Sequence, residues 1–474
     1  MNFSDLFKQS NHLCEFSPNS KYLANVVQFR LIVRDLSSLE IVNMYTCLDT
    51  INYIQWSYDS DFILCCLNKR NLIQVFSLEN PDWKCKIDEG SAGLVQANWS
   101  PDSRHILTTS DFHLRITVWS LMNKSVSYMK YPKNIPKCYD FTQDGKYMLL
   151  AERRDCKDYC SIFSCENWQL LKHFEVDTDN LEGVSWSPNS NVFAIWESPL
   201  EYKVLVYNTD GLCINKFQPY KWSLGVKTVN WSPSGQLLCI GSYDQKVRIL
   251  NYITYKMIME FDHPTKISSR DLLIFKENDG SIKNRKDILS TSILNESNNL
   301  NENEIFSIYS TPSKYEIFNG SLQIAAIKPD LDKPNPKMGI SSIQFSYDNR
   351  FMLTRNDSMP NILWIWDMKK FKLTNVLIQT MAVKCVAWDP RQNRLALCTN
   401  NNKIYMWSPQ GCVSVETPCE ATFLIQSIKW NKDGQSLILI GKDHFCVTYL
   451  QNESDESKNG SDNQNSSNEN LEKC

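Results

Sequence analysis

The sequence predicts an all-β fold, a single closed ring of about nine four-stranded propeller blades, from three observations. A short phrase with an aromatic anchor recurs nine times, as in "CEFSPNS", "ANWSPDS" and "VNWSPSG". Successive anchors are 40 to 45 residues apart, except for one gap of 114. An apolar run such as "RITVWS" ends 18 to 22 residues after each anchor. A fixed period of this length is typical of a propeller blade.

The nine anchors share an aromatic ring at the end of a short apolar run. They are Phe16, Trp56, Trp99, Phe141, Trp186, Trp231, Phe345, Trp388 and Trp430. Ser-Pro-Asp or Ser-Pro-Asn follows several of them and favours a type I turn, so we expect a strand on each side. A sheet of four such strands cannot bury both faces alone, whereas a ring of sheets can.

The repeat divides the chain into two stretches of blades. Residues 1–265 are expected to form blades 1 to 6, and residues 336–450 blades 7 to 9. The last blade stops after its third strand, so we expect residues 2–7, "NFSDLF", to supply the missing outer strand and close the ring. A ring of seven or eight blades and a pair of rings are the alternatives.

An insertion, residues 266–335, separates the two stretches. Its core, about 278–311, is polar and rich in asparagine, so it cannot offset the entropy of ordering and is expected to be disordered. The flanks 271–276 and 314–327 are predicted strands that close blade 6 and open blade 7. The tail, 451–474, has a similar composition and is also expected to be disordered.

Composition excludes several classes of function. The net charge of −3 provides no basic field for nucleic acid or acidic lipid. The N-terminus does not resemble a signal peptide and no run of 18 apolar residues occurs, so a soluble cytosolic protein is expected. The 17 cysteines are scattered, mostly within apolar runs, which favours free buried thiols in a reducing compartment.

No catalytic motif is present. The sequence lacks a P-loop, G-x-S-x-G and a dinucleotide fingerprint after a strand, so we expect no enzymatic activity, cofactor or small-molecule substrate. Cys156, Cys160 and Cys165 come closest to the spacing of metal ligands. They do not form the two tight pairs of a zinc site, so no metal is expected.

The stretch "LLAERRDCKDYCSIF", residues 149–163, concentrates charge between two predicted strands. One interpretation is a solvated turn in which Asp155 or Asp158 accepts backbone hydrogen bonds or pairs with Arg153. The other is a docking turn whose cations make charge-assisted hydrogen bonds to a protein partner. The candidate partner-binding residues are Arg153, Arg154, Asp155, Lys157 and Asp158.

Three features resemble the WD-repeat family: the W-S-P-D-G-like turns, "LCIGSYDQKVRILN" at 238–251, and the literal pair Trp366-Asp367. The resemblance implies a propeller that acts as an interaction scaffold. The resemblance extends to the centrosomal and spindle-pole branch of the family, the WD-repeat proteins encoded antisense to a p-seventy-three-type tumour-suppressor gene. The stretches that carry it are "MNFSDLFK", "KIDEGSAGL", "FHLRITVWSL", "LAERRDCKDYCSIF", "EYKVLVY", "WSLGVKTVNWSPS", "NPKMGI" and "KDHFC".

That branch implies a non-catalytic subunit at microtubule-organising centres in the cytoplasm. Its members act with a coiled-coil adaptor of the synovial-sarcoma-breakpoint-interacting type, in fungi also with a minus-end-directed kinesin, and indirectly with gamma-tubulin complexes. They anchor spindle microtubule minus ends and support centriolar satellites and cilium assembly. A translation-initiation-type propeller that binds the ribosome and a ubiquitin-ligase substrate receptor are the alternatives.

Overall fold

The computed structural model describes residues 1–268, 272–278, 314–330, 332, 336–418 and 422–450. Their strands form nine propeller blades, each built on four antiparallel strands, which confirms the predicted fold class and blade count. Seven or eight blades, or two rings, were therefore wrong alternatives. Helical structure in these ranges is limited to the 3₁₀ turns Asn68–Arg70, Gly90–Ala92 and Asp111–His113. No helix among them is long and apolar enough to cross a membrane.

In blades 1 to 8, strands a to d follow chain order from the axis outward, and blade 9 contributes strands a to c in the same order. Blade 1 comprises Cys14–Phe16, Tyr22–Val27, Arg30–Asp35 and Ile41–Thr46. Blade 2 comprises Tyr53–Trp56, Phe62–Leu67, Leu72–Ser77 and Lys84–Asp88. Blade 3 comprises Gln96–Trp99, His105–Thr109, Arg115–Ser120 and Val126–Lys130. Blades 4 to 6 comprise Tyr139–Phe141, Tyr147–Arg154, Lys157–Ser164 and Leu170–Glu175; Leu181–Trp186, Val192–Glu197, Val204–Asn208 and Cys213–Phe217; Val226–Trp231, Leu237–Ser242, Val247–Asn251 and Met257–Phe261. Blades 7 to 9 comprise Ile340–Phe345, Phe351–Asn356, Ile362–Asp367 and Lys372–Ile378; Cys385–Trp388, Leu395–Cys398, Lys403–Ser408 and Gly411–Glu416; Ser427–Trp430, Ser436–Ile440 and His444–Tyr449.

Every aromatic anchor ends a strand a, and several neighbouring a strands contact one another around the axis. Four of the six anchor tryptophans also join blades. Each donates its indole N–H to the carbonyl of the residue before the preceding anchor. The pairs are Trp56 with Glu15 (3.2 Å), Trp99 with Gln55 (3.1 Å), Trp231 with Ser185 (3.3 Å) and Trp430 with Ala387 (2.9 Å). An aromatic residue with a polar edge therefore serves both the core and the seam between blades.

The residue after the anchor closes the turn between strands a and b. In blade 2, the Ser57 hydroxyl donates to the Asp59 carboxylate at 2.5 Å and accepts the Phe62 amide at 2.9 Å. Equivalent bonds occur at Ser17, Thr142 and Ser346. A short hydroxyl side chain can make both bonds, which explains why Ser or Thr follows so many anchors.

The ring is closed where blade 9 meets blade 1. Lys429 Nζ lies 3.0 Å from Glu15 Oε1, and the Tyr449 hydroxyl donates to the Leu36 carbonyl at 2.6 Å. The outer strand of blade 9 comes from the other end of the chain. Asn2–Phe3 and Phe7–Lys8 both pair antiparallel with strand c of that blade.

Blades 6 and 7 are in direct contact although the insertion separates them in sequence. Asn230 Nδ2 donates to the Ile343 carbonyl at 2.7 Å. The imidazole of His263, just after blade 6, lies 2.9 Å from the Gln245 carbonyl and 2.8 Å from the Thr354 hydroxyl of blade 7. The insertion therefore leaves the ring intact.

The flanks of the insertion correct one expectation. Blade 6 is complete at Met257–Phe261, and the flanks instead widen blade 7. Leu273–Asn278 pairs parallel with Lys372–Ile378, and Lys314–Ile317 adds a sixth strand beyond it. A separate pair joins Lys266–Ser268 to Ser321–Gln323. Apart from Asn278, the stretch 278–311 predicted to be disordered lies outside the described residues, as does the tail from 451.

Candidate functional site on the upper face of blades 3 to 6

One end of the ring, here called the upper face, carries the turns between strands b and c and the connections from each blade to the next. The three most exposed large apolar side chains among the described residues lie there: Phe112 (87%), Trp222 (86%) and Leu200 (82%). Exposed apolar side chains that cluster on one face are typical of a protein-binding surface. The charged stretch found in the sequence lies between them, in blade 4.

That stretch forms a tight hairpin. Tyr147–Arg154 pairs with Lys157–Ser164, and Arg154 faces Lys157 at the end of the ladder. The two turn residues, Asp155 and Cys156, both have positive φ, 49° and 63°. This backbone suits a two-residue type I′ turn, whose twist matches that of the flanking strands.

The structure corrects the assignment of Asp158 to a partner-facing site. Its side chain is buried, with only 1% of the residue exposed. The carboxylate accepts 2.8 Å bonds from Lys133 Nζ to each oxygen, and Oδ2 also accepts the Thr178 hydroxyl at 3.1 Å and the Leu181 amide at 2.6 Å. Asp158 thus joins two blade connections to its own strand. Sequence reasoning missed Lys133, which lies 25 residues earlier in a connection without any repeated motif.

Arg153 belongs to the same set of interactions around the Asp158 carboxylate. Its guanidinium lies 2.9 Å from Asp158 Oδ1 and donates to the Asp179 carbonyl at 2.9 Å. This is the Arg153–Asp158 pair of the solvated-turn interpretation, although the carboxylate is buried. Burial lowers the pKa of Lys133, and Asp158 opposes that shift.

Arg154, Asp155 and Lys157 remain exposed. Arg154 lies 3.4 Å from Asp155, a surface pair of little energetic weight, and its guanidinium lies 5.7 Å from the ring centre of Tyr131. Lys157 lies 2.8 Å from Glu175, which raises the pKa of the lysine. These three side chains can exchange their present partners for groups on another protein.

An apolar strip leads from the hairpin to blade 3. The Tyr131 amide bonds the Leu114 carbonyl at 3.4 Å, and the exposed Leu114 side chain adjoins the turn that carries Phe112. Phe112 itself has positive φ (57°), a costly conformation for an aromatic residue, with its ring in solvent. Sequence reasoning missed Phe112, although "DFHL" places two apolar residues between two strands. The upper face of blades 3 and 4 therefore combines Arg154 with three exposed apolar side chains, which suits protein binding.

The three cysteines with ligand-like spacing all lie in the described ranges. There, no three or more His, Cys, Asp or Glu side chains converge as metal ligands. Cys156 is exposed at the hairpin tip, whereas Cys160 and Cys165 are buried. Burial raises the pKa of Cys165 to about 12, so its thiol stays protonated at neutral pH.

Comparisons with known proteins agree with this architecture. Residues 184–278 match the model of the anaphase-promoting complex subunit 4 WD40 domain, and residues 372–408 match the WD domain, G-beta repeat. The chain is 52% identical over 451 residues to the WD repeat-containing protein WRAP73 of Mus musculus, covering 95% of this chain and 96% of that protein. An uncharacterized WD repeat-containing protein of Schizosaccharomyces pombe is 24% identical, covering 96% and 94%.

A solved structure supports the fold alone. The C-terminal WD40 domain of Sif2 superposes with a TM-score of 0.50 at 10% sequence identity, covering 95% of this chain and 99% of that one.

Proposed function

This chain belongs to the family of WD repeat-containing protein WRAP73, and on that premise we propose that it is a non-catalytic scaffold for a coiled-coil adaptor at the centrosome or spindle pole. WD-repeat propellers of this family are generally non-catalytic and bind proteins. The chain covers nearly the whole length of its mouse relative, so the proposal concerns the protein as a unit.

The observation that carries the proposal is the surface formed by Arg154, Tyr131, Leu114 and Phe112. A coiled coil exposes charged side chains beside its apolar seam. Arg154 can form a salt bridge with a carboxylate of such a helix. The neighbouring apolar side chains can pack against the apolar residues at the edge of the helix seam. Aromatic residues and arginine are also the commonest energetic centres of interfaces.

Through the adaptor, the scaffold would anchor microtubule minus ends at spindle poles and support centriolar satellites and cilium assembly. Contacts with a minus-end-directed kinesin and with gamma-tubulin complexes would be indirect. The expected location is the microtubule-organising centre in the cytoplasm. The resemblance of the sequence to the centrosomal branch supports these roles.

The double variant Phe112→Ser/Arg154→Glu tests the proposal. Both side chains are exposed, so the thermal midpoint should stay near that of the wild type, while adaptor co-purification and spindle-pole location are lost. Arg30→Glu is the matched control, since Arg30 is an exposed arginine in the b–c hairpin of blade 1, as Arg154 is in the b–c hairpin of blade 4. Normal location of the double variant would overturn the site. Purification of the wild type with ribosomes or a cullin instead of the adaptor would overturn the function.

A further inference from the structure

A second feature of the upper face is a groove between the b–c turn of blade 5 and the connection from blade 5 to blade 6. The Gly225 amide donates to the Pro199 carbonyl at 2.7 Å, which ties the two walls together. A Cβ at Gly225 would lie 2.4 Å from the Glu201 carbonyl oxygen, so only glycine permits this approach. The groove is therefore a built feature with a volume of about 630 Å³.

Two of the three most exposed apolar side chains of the described chain form its rims. Leu200 lies on the turn and Trp222 on the connection, with Leu224 beside it. Exposing a tryptophan and a leucine on facing walls forfeits the stabilisation that their burial would give. Burial against a partner would recover it, and tryptophan is the residue most enriched at the energetic centres of interfaces.

The polar lining is mainly acidic. Asp179, Glu197 and Glu201 line the groove against a single cation, Lys221, whose Nζ lies 6.0 Å from the ring centre of Trp222. Glu197 is used internally, since its carboxylate accepts the amides of Asp179 and Asn180.

Asp179 and Glu201 are more accessible. Asp179 is exposed and has no salt-bridge partner within the described part of the chain, and Glu201 lies 3.8 Å from Lys203. The Ser223 hydroxyl also lines the groove and, in the same part of the chain, lacks a hydrogen-bond partner. An occupant would therefore meet accessible carboxylates between two apolar walls.

We propose that this groove binds a segment of a partner protein that places a lysine or arginine next to a large apolar side chain. The apolar side chain lies between Leu200 and Trp222, and the cation faces Asp179 and Glu201. The proposal goes beyond the adaptor surface of blades 3 and 4, because this groove lies two blades further round the ring and selects the opposite charge. Carboxylates at the rim also disfavour nucleic acid and acidic lipid.

Random peptides displayed on phage and selected on the purified full chain provide the test. The recovered sequences should be enriched in a basic residue beside a bulky apolar one. A recovered peptide, made synthetically and labelled, should lose at least about 30-fold in affinity for Trp222→Ala, the loss expected of a central aromatic anchor. Asp179→Lys should weaken it as well and should favour the same peptide with glutamate in place of its basic residue.

Ile253→Ala is the matched control, because Ile253 is an exposed apolar residue on the opposite face of blade 6, and it should leave affinity unchanged. Thermal midpoints of all variants check that the ring is folded. Selection of acidic peptides, peptides indifferent to Trp222→Ala, or no binder at all would each overturn the proposal. None of these outcomes depends on the adaptor or on location in the cell, so they are separable from failure of the proposed function.

Discussion

The ammonium nitrogen of Lys133 lies 2.8 Å from both carboxylate oxygens of Asp158, and both side chains are buried. Lys133 belongs to the connection that enters blade 4 and Asp158 to strand c of that blade. Asp158 also accepts the amide of Leu181, the first residue of blade 5. One buried ion pair thus fixes the position of three consecutive pieces of the ring.

Asp158→Ala should destabilise the protein by about 3 to 5 kcal/mol, because it leaves the Lys133 ammonium buried without its partner. Asp155→Asn, in the same hairpin but exposed, keeps a residue that tolerates the positive φ of this turn and should change the unfolding free energy by no more than about 0.5 kcal/mol. Urea unfolding followed by circular dichroism measures both. Equal effects of the two substitutions would contradict a structural role for Asp158.

Trp99→Phe should lower stability by about 1 kcal/mol more than Trp186→Phe. Both tryptophans are buried anchors, but only Trp99 donates its indole N–H to the preceding blade, leaving the Gln55 carbonyl unpaired when it is removed. The indole nitrogen of Trp186 has no hydrogen-bond partner among the described residues. Since both variants lose the same atoms, the difference between their urea midpoints reports the bond between blades. If Trp186→Phe were the less stable of the two variants, a stabilising role for the Trp99 hydrogen bond between blades would be refuted.

Stability should fall between about pH 6.5 and pH 4 through His263. Burial lowers the pKa of this histidine to about 4 from its ordinary 6.5, so the unfolded chain binds a proton in that window and the folded ring does not. The stability contribution is present above pH 6.5 and is lost as the pH falls, by about 2 kcal/mol at pH 5.

Comparing unfolding at pH 7.5 and pH 5 checks this. His263→Asn should show a shallower dependence than the wild type. The exposed His12 is the control, and His12→Asn should keep the wild-type dependence. If the stability of the wild type and of His263→Asn changed equally between pH 7.5 and pH 5, His263 would not be the source of the pH dependence.

Deleting residues 2–8 should lower the thermal midpoint by about 4 °C or more. The deletion removes the outer strands of blade 9 and takes away Phe7, whose ring lies 5.4 Å from that of Phe445 and 4.3 Å from the Arg34 guanidinium. It also exposes a strand edge, so aggregation should increase. Differential scanning calorimetry compares it with a chain lacking 452–474, which is expected to melt like the wild type because its composition cannot support a core. An unaltered midpoint for the first deletion would show that these strands do not stabilise the ring.

The sequence was sufficient for the blade count because each blade repeats the same local requirements. An aromatic residue such as Trp99 must fill the core near the axis, and a hydroxyl such as Ser57 must close the next turn. Both requirements involve residues close together in the chain, so they recur at a fixed spacing. The repeat can therefore be recognised from the sequence before the fold is known.

Long-range pairings could not be read in the same way. The parallel pairing of Leu273–Asn278 with Lys372–Ile378 joins segments about a hundred residues apart, and nothing local distinguishes it from the closure of blade 6. The burial of Asp158 depends on Lys133 and Leu181, which only the fold brings near. The charge of the hairpin was visible in the sequence, whereas the division between buried Asp158 and exposed Arg154 was not. The groove at Trp222 likewise forms only where the b–c turn of blade 5 meets the connection to blade 6.

The pairing of Asn2 and Phe3 with Tyr449 and Thr448 sets an order of events during synthesis. At about 5 to 20 residues per second, strand c of blade 9 leaves the ribosome roughly 20 to 90 s after the N-terminal strands. Through that interval Phe3 and Phe7 have no blade to join, and blade 1 lacks its neighbour on one side. Until blade 9 forms, the nascent chain therefore exposes the unpaired strand edges and apolar side chains that closure of the ring later covers, and it is prone to aggregate through them.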